Sequence, residues 1–515
     1  GMAILTLLLA ATLRYGALAT PLDDYVNKPD SNYGWHDTGN RVKCLFGGTA
    51  HILNVTSQQW LDETKAVGPN GALWTHQVAV VVPKNVRIRN VSVAVMTGGC
   101  NEDPAPPTFK DEYLALADNL AYQTGGIAVV IYQIPNCHIV YPSDPSKTPR
   151  EEDAMIAWAW HEFLTDPKHD PEWLPRLPMA KAGMQCMRAV EEYTKKQGIA
   201  EIEGWVVSGA SKRGWTTWMV GAVTCESCPT IVGIAPLVPI VPALHQDVHR
   251  QWKSYGGFTF AFKDYTAVNL TTNLDGAGFK LMMDIVDPIN YGERLARLPK
   301  LTVLSSDDEF MQFDWSNIWY DQMTGESNLL IIPNSEHSLT TGIPEIISSL
   351  PAVYKSIALQ KERPSFDYAY DNTTGEITVT IPEGIEHGKV VLRHAMTLQN
   401  KRRDFRWVRL ANEDTGNCTL PDIPMKKPIE GGNCIQPIIW LGKTLSAVEG
   451  TTNVYKAKPP MPLPGFWTGY YIEVFFPNNL GLKKDSFQFT TPGFVWPDTL
   501  PFEDCLADTC KGHLV

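Results

Sequence analysis

Glu203-Gly204-Trp205-Val206-Val207-Ser208-Gly209-Ala210-Ser211-Lys212-Arg213-Gly214-Trp215 is the stretch on which the fold turns. Trp205 to Ser208 reads as a buried strand, Gly209-x-Ser211-x-x-Gly214 as a tight turn, and the residues through Met219 continue with helical spacing. A strand that turns sharply into a helix at a serine aims the hydroxyl out of the top of a sheet, and small residues on either side let strand and helix approach closely. The helix amino terminus and the Lys212 amide then face the point where an oxyanion would form. The usual form of this nucleophile elbow has glycine two residues after the serine, where this chain has Arg213. An ordinary glycine-bearing turn would show the same residues, so the groups that follow in the chain carry the decision.

Those groups come in the order serine, acid, histidine, which is the chain order of α/β-hydrolases. After a strand-like run at Leu301 to Leu304 stands Ser305-Ser306-Asp307-Asp308-Glu309-Phe310, and after another at Leu329 to Ile332 stands Pro333-Asn334-Ser335-Glu336-His337-Ser338. An imidazole that takes the serine proton needs a carboxylate on its other nitrogen to hold the tautomer. The catalytic set expected is therefore Ser211, His337 and Asp308, with Asp307, Asp314 and Glu309 competing for the acid's place. A second oxyanion amide is expected from Gly99, in the Gly98-Gly99-Cys100-Asn101 loop that ends the Val91 to Met96 run, although a plain turn would look alike. A Cys100 to Cys137 bridge could brace that loop, since both residues follow strands that would be neighbours.

Apolar runs at Val78 to Val82, Val91 to Met96, Ile127 to Tyr132, Trp205 to Ser208, Ile231 to Ala235, Leu301 to Leu304 and Leu329 to Ile332 alternate with helical patterns. Buried strands alternating with helices predict a mostly parallel sheet covered on both faces. The expected organisation is an α/β-hydrolase domain over residues 20–358, interrupted at about 238–299 by an insertion over the carboxyl edge of the sheet. Beyond it the pattern changes to period two, as in Ile377, Val379 and Ile381, which predicts a separable β-sandwich over 360–498 and a tail at 499–515.

Several of these segments together carry a resemblance. Gly209 to Trp215, Asp287-Pro288 to Arg294-Leu295, Pro299-Lys300 before Asp308-Glu309-Phe310, Pro333 to Leu339 and Asp404-Phe405-Arg406-Trp407 resemble the PhoPQ-activated pathogenicity-related proteins over nearly the whole chain. That family includes the autocrine proliferation repressor of slime moulds. The resemblance implies an α/β-hydrolase fold and leaves open whether a member works as an enzyme or as an extracellular signal. The Ser211-Lys212 turn is also similar to the Gly-x-Ser-Arg-x-Gly elbow of glucuronoyl esterases, in which the basic residue after serine helps the oxyanion; Lys212 stands in place of that arginine.

Composition agrees with a compact protein outside the cell. The 515 residues are 44% hydrophobic and 19% charged, and 44 basic against 56 acidic residues give a net charge of -12, which disfavours nucleic acid and anionic membrane as partners. Met2 to Ala19 carries an apolar stretch closed by Ala17-Leu18-Ala19, a small-x-small pattern that predicts signal-peptide cleavage after Ala19 and secretion. Acceptor motifs at Asn54, Asn90, Asn269, Asn372 and Asn417 predict glycosylation, and ten cysteines form an even set that reads as disulfides, with Cys225-x-x-Cys228 a local bridge.

His245 and His249 share a helix face but lack the glutamate of the zinc-protease motif, so a partly solvated helix is expected there and no metal or other cofactor. Lys401-Arg402-Arg403 reads as a surface turn. Two functions remain: a secreted serine hydrolase acting on an extracellular ester or peptide through an acyl-enzyme, or a secreted signalling protein that keeps the fold and meets a cell-surface receptor.

Overall fold

A computed structural model describes residues 19–102, 105–411, 418–420, 423–424 and 433–515. Residues 1–18 of the expected signal peptide and the acceptor Asn417 lie outside those residues. The central sheet is built from β1 (Gly34–Lys43), β2 (Thr49–Gln59), β3 (Leu73–Val82), β4 (Ile88–Met96), β5 (Gly126–Ile131), β6 (Gly204–Ala210), β7 (Ile231–Leu237), β8 (Lys300–Ser305) and β9 (Ser327–Ile332). Their order is β1-β2-β3-β5-β4-β6-β7-β8-β9. The pairs β1–β2, β2–β3 and β3–β5 are antiparallel, and from β5 onward every pair is parallel. The crossing of β4 and β5, with one antiparallel strand before it and a parallel run after, is the topology of an α/β-hydrolase preceded by an additional edge strand.

Each inner strand alternates its side chains between two cores. Val129 and Ile131 face one side with Trp205 and Val207, while Ala128 and Val130 face the other with Val206 and Leu301. Helices α1 (Pro21–Asn27), α2 (Glu112–Thr124), α3 (Glu152–Thr165), α4 (Arg176–Lys196), α5 (Lys212–Ala222) and α6 (Leu244–Tyr255) distribute accordingly. The first core takes α3, α4 and α5 through Met155, Leu177 and Trp218; the second takes α2 and the helix Ile343–Ala358 through Leu120 and Val353. The two strands that periodicity did not mark, β1 and β2, form the sheet's edge. There β1 buries no residue fully and β2 interleaves His51, Asn54 and Thr56 with its apolar positions.

After β7 the chain runs through α6 and short helices at Lys263–Ala267, Ala277–Val286 and Gly292–Leu295 before reaching β8. The buried Asp287 carboxylate accepts from the amides of Ala243, Leu244 and Ile289 at 2.9 to 3.1 Å, which fixes where α6 begins. Lys300 donates its ammonium to the carbonyls of Leu295, Leu298 and Thr324, closing the segment against the start of β8; burial pulls its pKa down to about 8.

The C-terminal part is antiparallel. One sheet joins Asp367–Asp371, Glu376–Thr380 and Val454–Ala457; another joins Leu441–Thr444, Val390–Met396, Thr468–Phe476 and Phe487–Thr490, with Phe494–Trp496 also on Thr468–Phe476. The two meet where Tyr370 stacks on Phe494 at 4.0 Å and Tyr470 donates to the Gly375 carbonyl at 2.7 Å. This region is welded to the central sheet. Thr490 meets β9 through the Ile331 amide at 3.1 Å, and the Phe313 ring packs on Trp440 over Gly469 and Gly493, where a Cβ would come within 2.7 and 2.4 Å of it.

Two expectations change. Eight of the cysteines form Cys100–Cys137, Cys225–Cys228, Cys418–Cys434 and Cys505–Cys510, but Cys44 and Cys186 are thiols. They pack into the cores on opposite faces of the sheet and cannot meet. Nor is the basic run at 401–403 a surface turn throughout, because Arg403 is 1% exposed and pairs with the buried Asp314, which also holds Arg250 at 2.8 Å. Burial works against ionisation of Asp314, yet Arg403 and then Arg250 keep its carboxyl below the usual range. Asp314→Ala would leave Arg250 and Arg403 only the exposed Asp498 carboxylate, at 3.7 and 3.5 Å, so it should destabilise the protein by about 3 kcal/mol, read as a lower urea midpoint. Asp314→Glu, which keeps the charge, should recover part of the loss.

Candidate active site

The strand β6 ends at Ala210 and α5 starts at Lys212, so Ser211 alone makes the turn, at φ 59° and ψ -124°. A non-glycine residue held there is strained by about 1–3 kcal/mol, the mark of a turn that the surroundings enforce. Enforcement is visible on both sides. A Cβ on Gly209 would lie 2.7 Å from the Arg213 Cβ, and one on Gly214 would lie 2.5 Å from the Leu237 carbonyl oxygen. The Ser211 amide itself donates to that same carbonyl at 2.9 Å.

Two loops bring the remaining groups to the serine. The Ser306 amide donates to the Ile332 carbonyl, the Asp307 amide to the Ser335 carbonyl, and the Ser305 hydroxyl to the Glu336 carbonyl, at 2.9 to 3.0 Å. These cross-bonds lace the end of β8 to the end of β9 and set His337 beside Asp308. His337 Nδ1 lies 2.9 Å from both carboxylate oxygens of Asp308, and its Nε2 lies 2.8 Å from Ser211 Oγ. Since a carboxylate only accepts, the ring proton belongs on Nδ1 and the bare Nε2 accepts from the serine hydroxyl. Asp308 is held in turn by the amides of Phe310 and Met311 at 2.7 and 3.1 Å, and the Phe310 ring lies 4.3 Å from the imidazole.

The competing acids are placed elsewhere. Asp307 turns away from His337 to accept from the Trp440 indole at 2.6 Å, and burial raises its pKa well above the usual range. Asp314 belongs to the arginine pair already described. Glu309 meets only the His337 backbone amide, at 3.0 Å; burial first and the Asp308 charge second raise its pKa to about 7. His337 itself is 15% exposed. Burial opposes its protonation, but Asp308, reinforced by Glu309, moves its pKa above 6.5.

Lys212 heads α5, so its amide has no partner within the helix and points out of the turn. Its ammonium is engaged at 3.0 Å with both Glu152 and Asp153, at the start of α3. Arg213, where the usual elbow has glycine, joins the same cluster, pairing with Glu152 and donating to the Ile134 carbonyl. Burial opposes ionisation of Glu152, and Arg213 with Lys212 overcomes it, holding the carboxyl at about 2. The Gly98–Gly99 loop closes onto these groups. A Cβ on Gly98 would sit 2.3 Å from the Arg213 guanidinium, whereas Gly99, at φ +106°, has open space around it. The Cys100–Cys137 disulfide and the Asn101 amide on the Cys137 carbonyl pin the far end of the loop. Glu152, Asp153 and Phe310 were missed as site residues. Acidic residues opening a helix look like complements to its dipole, and nothing local shows that they face a lysine from the elbow.

The model of the family described as PhoPQ-activated pathogenicity-related protein matches residues 22–406. Autocrine proliferation repressor protein A of Dictyostelium discoideum is 34% identical over 516 residues, covering 98% of this chain and 96% of that protein. Among solved structures, acetyl xylan esterase 1 of a Thermoanaerobacterium species aligns with a TM-score of 0.39 at 12% identity, covering 65% of this chain and 93% of that one. An acetyl xylan esterase of a Paenibacillus species gives 0.41 at 14% identity, with 65% and 92% covered. By the extent of the family match and the identity to the Dictyostelium protein, this chain belongs to the PhoPQ-activated pathogenicity-related protein family.

Proposed function

We propose that this chain is a secreted serine hydrolase, of esterase or peptidase type, that works through an acyl-enzyme on Ser211. The observation that carries the reading is the unbroken relay from Asp308 through His337 to Ser211, with hydrogen-bond distances of 2.9 and 2.8 Å, on a strained elbow. Ser211 Oγ attacks the substrate carbonyl carbon while its proton passes to His337 Nε2, and the carbonyl electrons move onto oxygen. The Lys212 amide, with Gly99 as the second donor, stabilises that oxyanion. Collapse of the intermediate expels the alcohol or amine, which takes the proton from the imidazolium. Water, deprotonated by the same nitrogen, then releases the acid and restores Ser211.

Secretion is part of the same proposal. The Thr20 amide donates to Asp23 at 3.0 Å, so cleavage after Ala19 would place a new ammonium on a carboxylate at the start of α1. The acceptors Asn54, Asn90, Asn269 and Asn372 are all exposed, and no helix among the described residues is long and apolar enough to cross a membrane. The second reading, a secreted signal with a cell-surface partner, is favoured by the name of the Dictyostelium relative, an autocrine proliferation repressor.

A fluorophosphonate probe separates the two, because it reacts with activated serines whatever the substrate. Labelling is expected at Ser211, with Ser211→Ala abolishing it and His337→Ala reducing its rate by roughly 10⁴-fold or more. Folded protein that never labels would favour the signalling reading.

The labelling rate should fall as pH drops through the His337 pKa, because protonation removes the base. Glu309 helps to hold that pKa above 6.5, so Glu309→Gln should move the acid limb of the profile to lower pH. A profile that stays in place would remove Glu309 from the balance. Mass spectrometry of secreted material should find an amino terminus at Thr20 and glycans on the exposed asparagines; an intact leader without glycans would count against secretion.

A further inference from the structure

We propose that His245, His249 and Asp275 form a zinc site on α6, with Asp504 as its outer support. The two histidines stand one turn apart on the helix, their ring centroids separated by 4.8 Å. The carboxylate that their sequence context lacks arrives from the turn before Ala277–Val286. Asp275 Oδ1 lies 3.3 Å from His249 Nε2 and 3.6 Å from His245 Nε2, and all three ligand atoms fall within 4.8 Å of one another. Zinc bonds of about 2.0–2.2 Å in a tetrahedron require ligand atoms about 3.3–3.6 Å apart. The two carboxylate distances match edges of that figure.

The hydrogen bonding behind these atoms points the same way. His249 Nδ1 lies 2.9 Å from Asp504 Oδ1, and a carboxylate can only accept, so the ring proton of the neutral imidazole resides on Nδ1. Nε2 is then a bare lone pair. It is buried without a hydrogen-bond partner, on a residue only 8% exposed, and it faces another acceptor, Asp275 Oδ1. Two acceptors directed at each other in a poorly solvated place repel unless a proton or a metal ion stands between them. Asp275 is held ready by its other oxygen, which accepts from the Ala507 amide at 3.1 Å, leaving Oδ1 for the metal.

This is a complete first and outer set for an imidazole- and carboxylate-binding ion. Carboxylate-to-histidine support of the kind Asp504 supplies fixes the tautomer and orientation of a metal-bound ring. The His245 side chain is 45% exposed, so a fourth position opens to water. Cys505, next to the outer carboxylate, is locked in its disulfide with Cys510 and is no ligand. A zinc ion here would staple three distant segments: α6, the Asp275 turn and the C-terminal stretch. Because Gln251 of the same helix donates to the Phe310 carbonyl at 2.6 Å, that staple would also steady the loop that carries Asp308.

The test uses the full secreted protein, stripped with a chelator, dialysed and titrated calorimetrically with Zn²⁺. One zinc per chain is expected. Asp504→Asn should weaken binding about 10- to 100-fold, and His245→Ala or Asp275→Asn by more than that. The latter two change partly exposed side chains and leave the fold in place, as circular dichroism would check; His161→Ala on α3 should bind like the parent. Cobalt substitution gives an independent readout, a visible absorption band of tetrahedral type in the parent that His245→Ala loses. Failure of the stripped parent to bind zinc would overturn the proposal. So would binding that His245→Ala and Asp275→Asn leave unchanged, which would place the ion elsewhere. Neither result touches the reading of Ser211, whose probe labelling is measured separately.

Discussion

The backbone at Ser211 is the constraint around which the rest of the molecule is arranged. A serine at φ 59° is stable only where strand and helix are pressed together on either side of it, and that closeness excludes a side chain at Gly209 and at Gly214. The buried residues of β6, Gly204 to Gly209, and of α5, Lys212 to Ala222, supply the pressure. From this one strained residue follow the direction of the hydroxyl, the exposure of the Lys212 amide, and the position that the loops after β8 and β9 must reach. Strain at the turn is small beside the burial that enforces it, so the direction of the hydroxyl is fixed by the folded chain itself.

Around the elbow, ionic groups are sorted by environment. Asp307, Asp308 and Glu309 are consecutive, yet one is turned to an indole, one to the imidazole, and one is left with a single backbone amide. The middle residue serves the histidine because backbone amides hold it from one side and Nδ1 from the other. Its neighbours are disfavoured as anions by burial. A similar division operates at the start of α5. Lys212 gives its ammonium to Glu152 and Asp153 and keeps only its amide for the site, while Arg213 fills the space that glycine leaves in the usual elbow.

The C-terminal sheets take part in this arrangement. Trp440 holds Asp307, the Trp407 amide donates to the Asp307 carbonyl at 2.9 Å, and Arg403 closes the charge on Asp314. Buried polar groups from the β-rich part therefore complete hydrogen bonds that the α/β part cannot satisfy alone. The acid loop is thus held from two sides, by α6 through Gln251 and by the C-terminal sheets through Trp440.

What the sequence alone determined was local and periodic. The strand-turn-helix at 203–219, the order of serine, acid and histidine, and the change from helix-strand alternation to period two were all legible, because each is written in a few neighbouring residues or in a repeat. The bridges Cys100–Cys137 and Cys225–Cys228 were legible too, the first from neighbouring strands and the second from its short spacing. Tertiary structure decided the rest. It separated three adjacent acids into three environments, left Cys44 and Cys186 unpaired on opposite faces of the sheet, buried Arg403, and added β1 and β2, whose mixed pattern carries no clear period. It also brought Asp275 and Asp504 to a helix where two histidines lacked a carboxylate. In each case the deciding partner lies far away in the chain, and a side chain's environment is set by what packs against it and not by its neighbours in sequence.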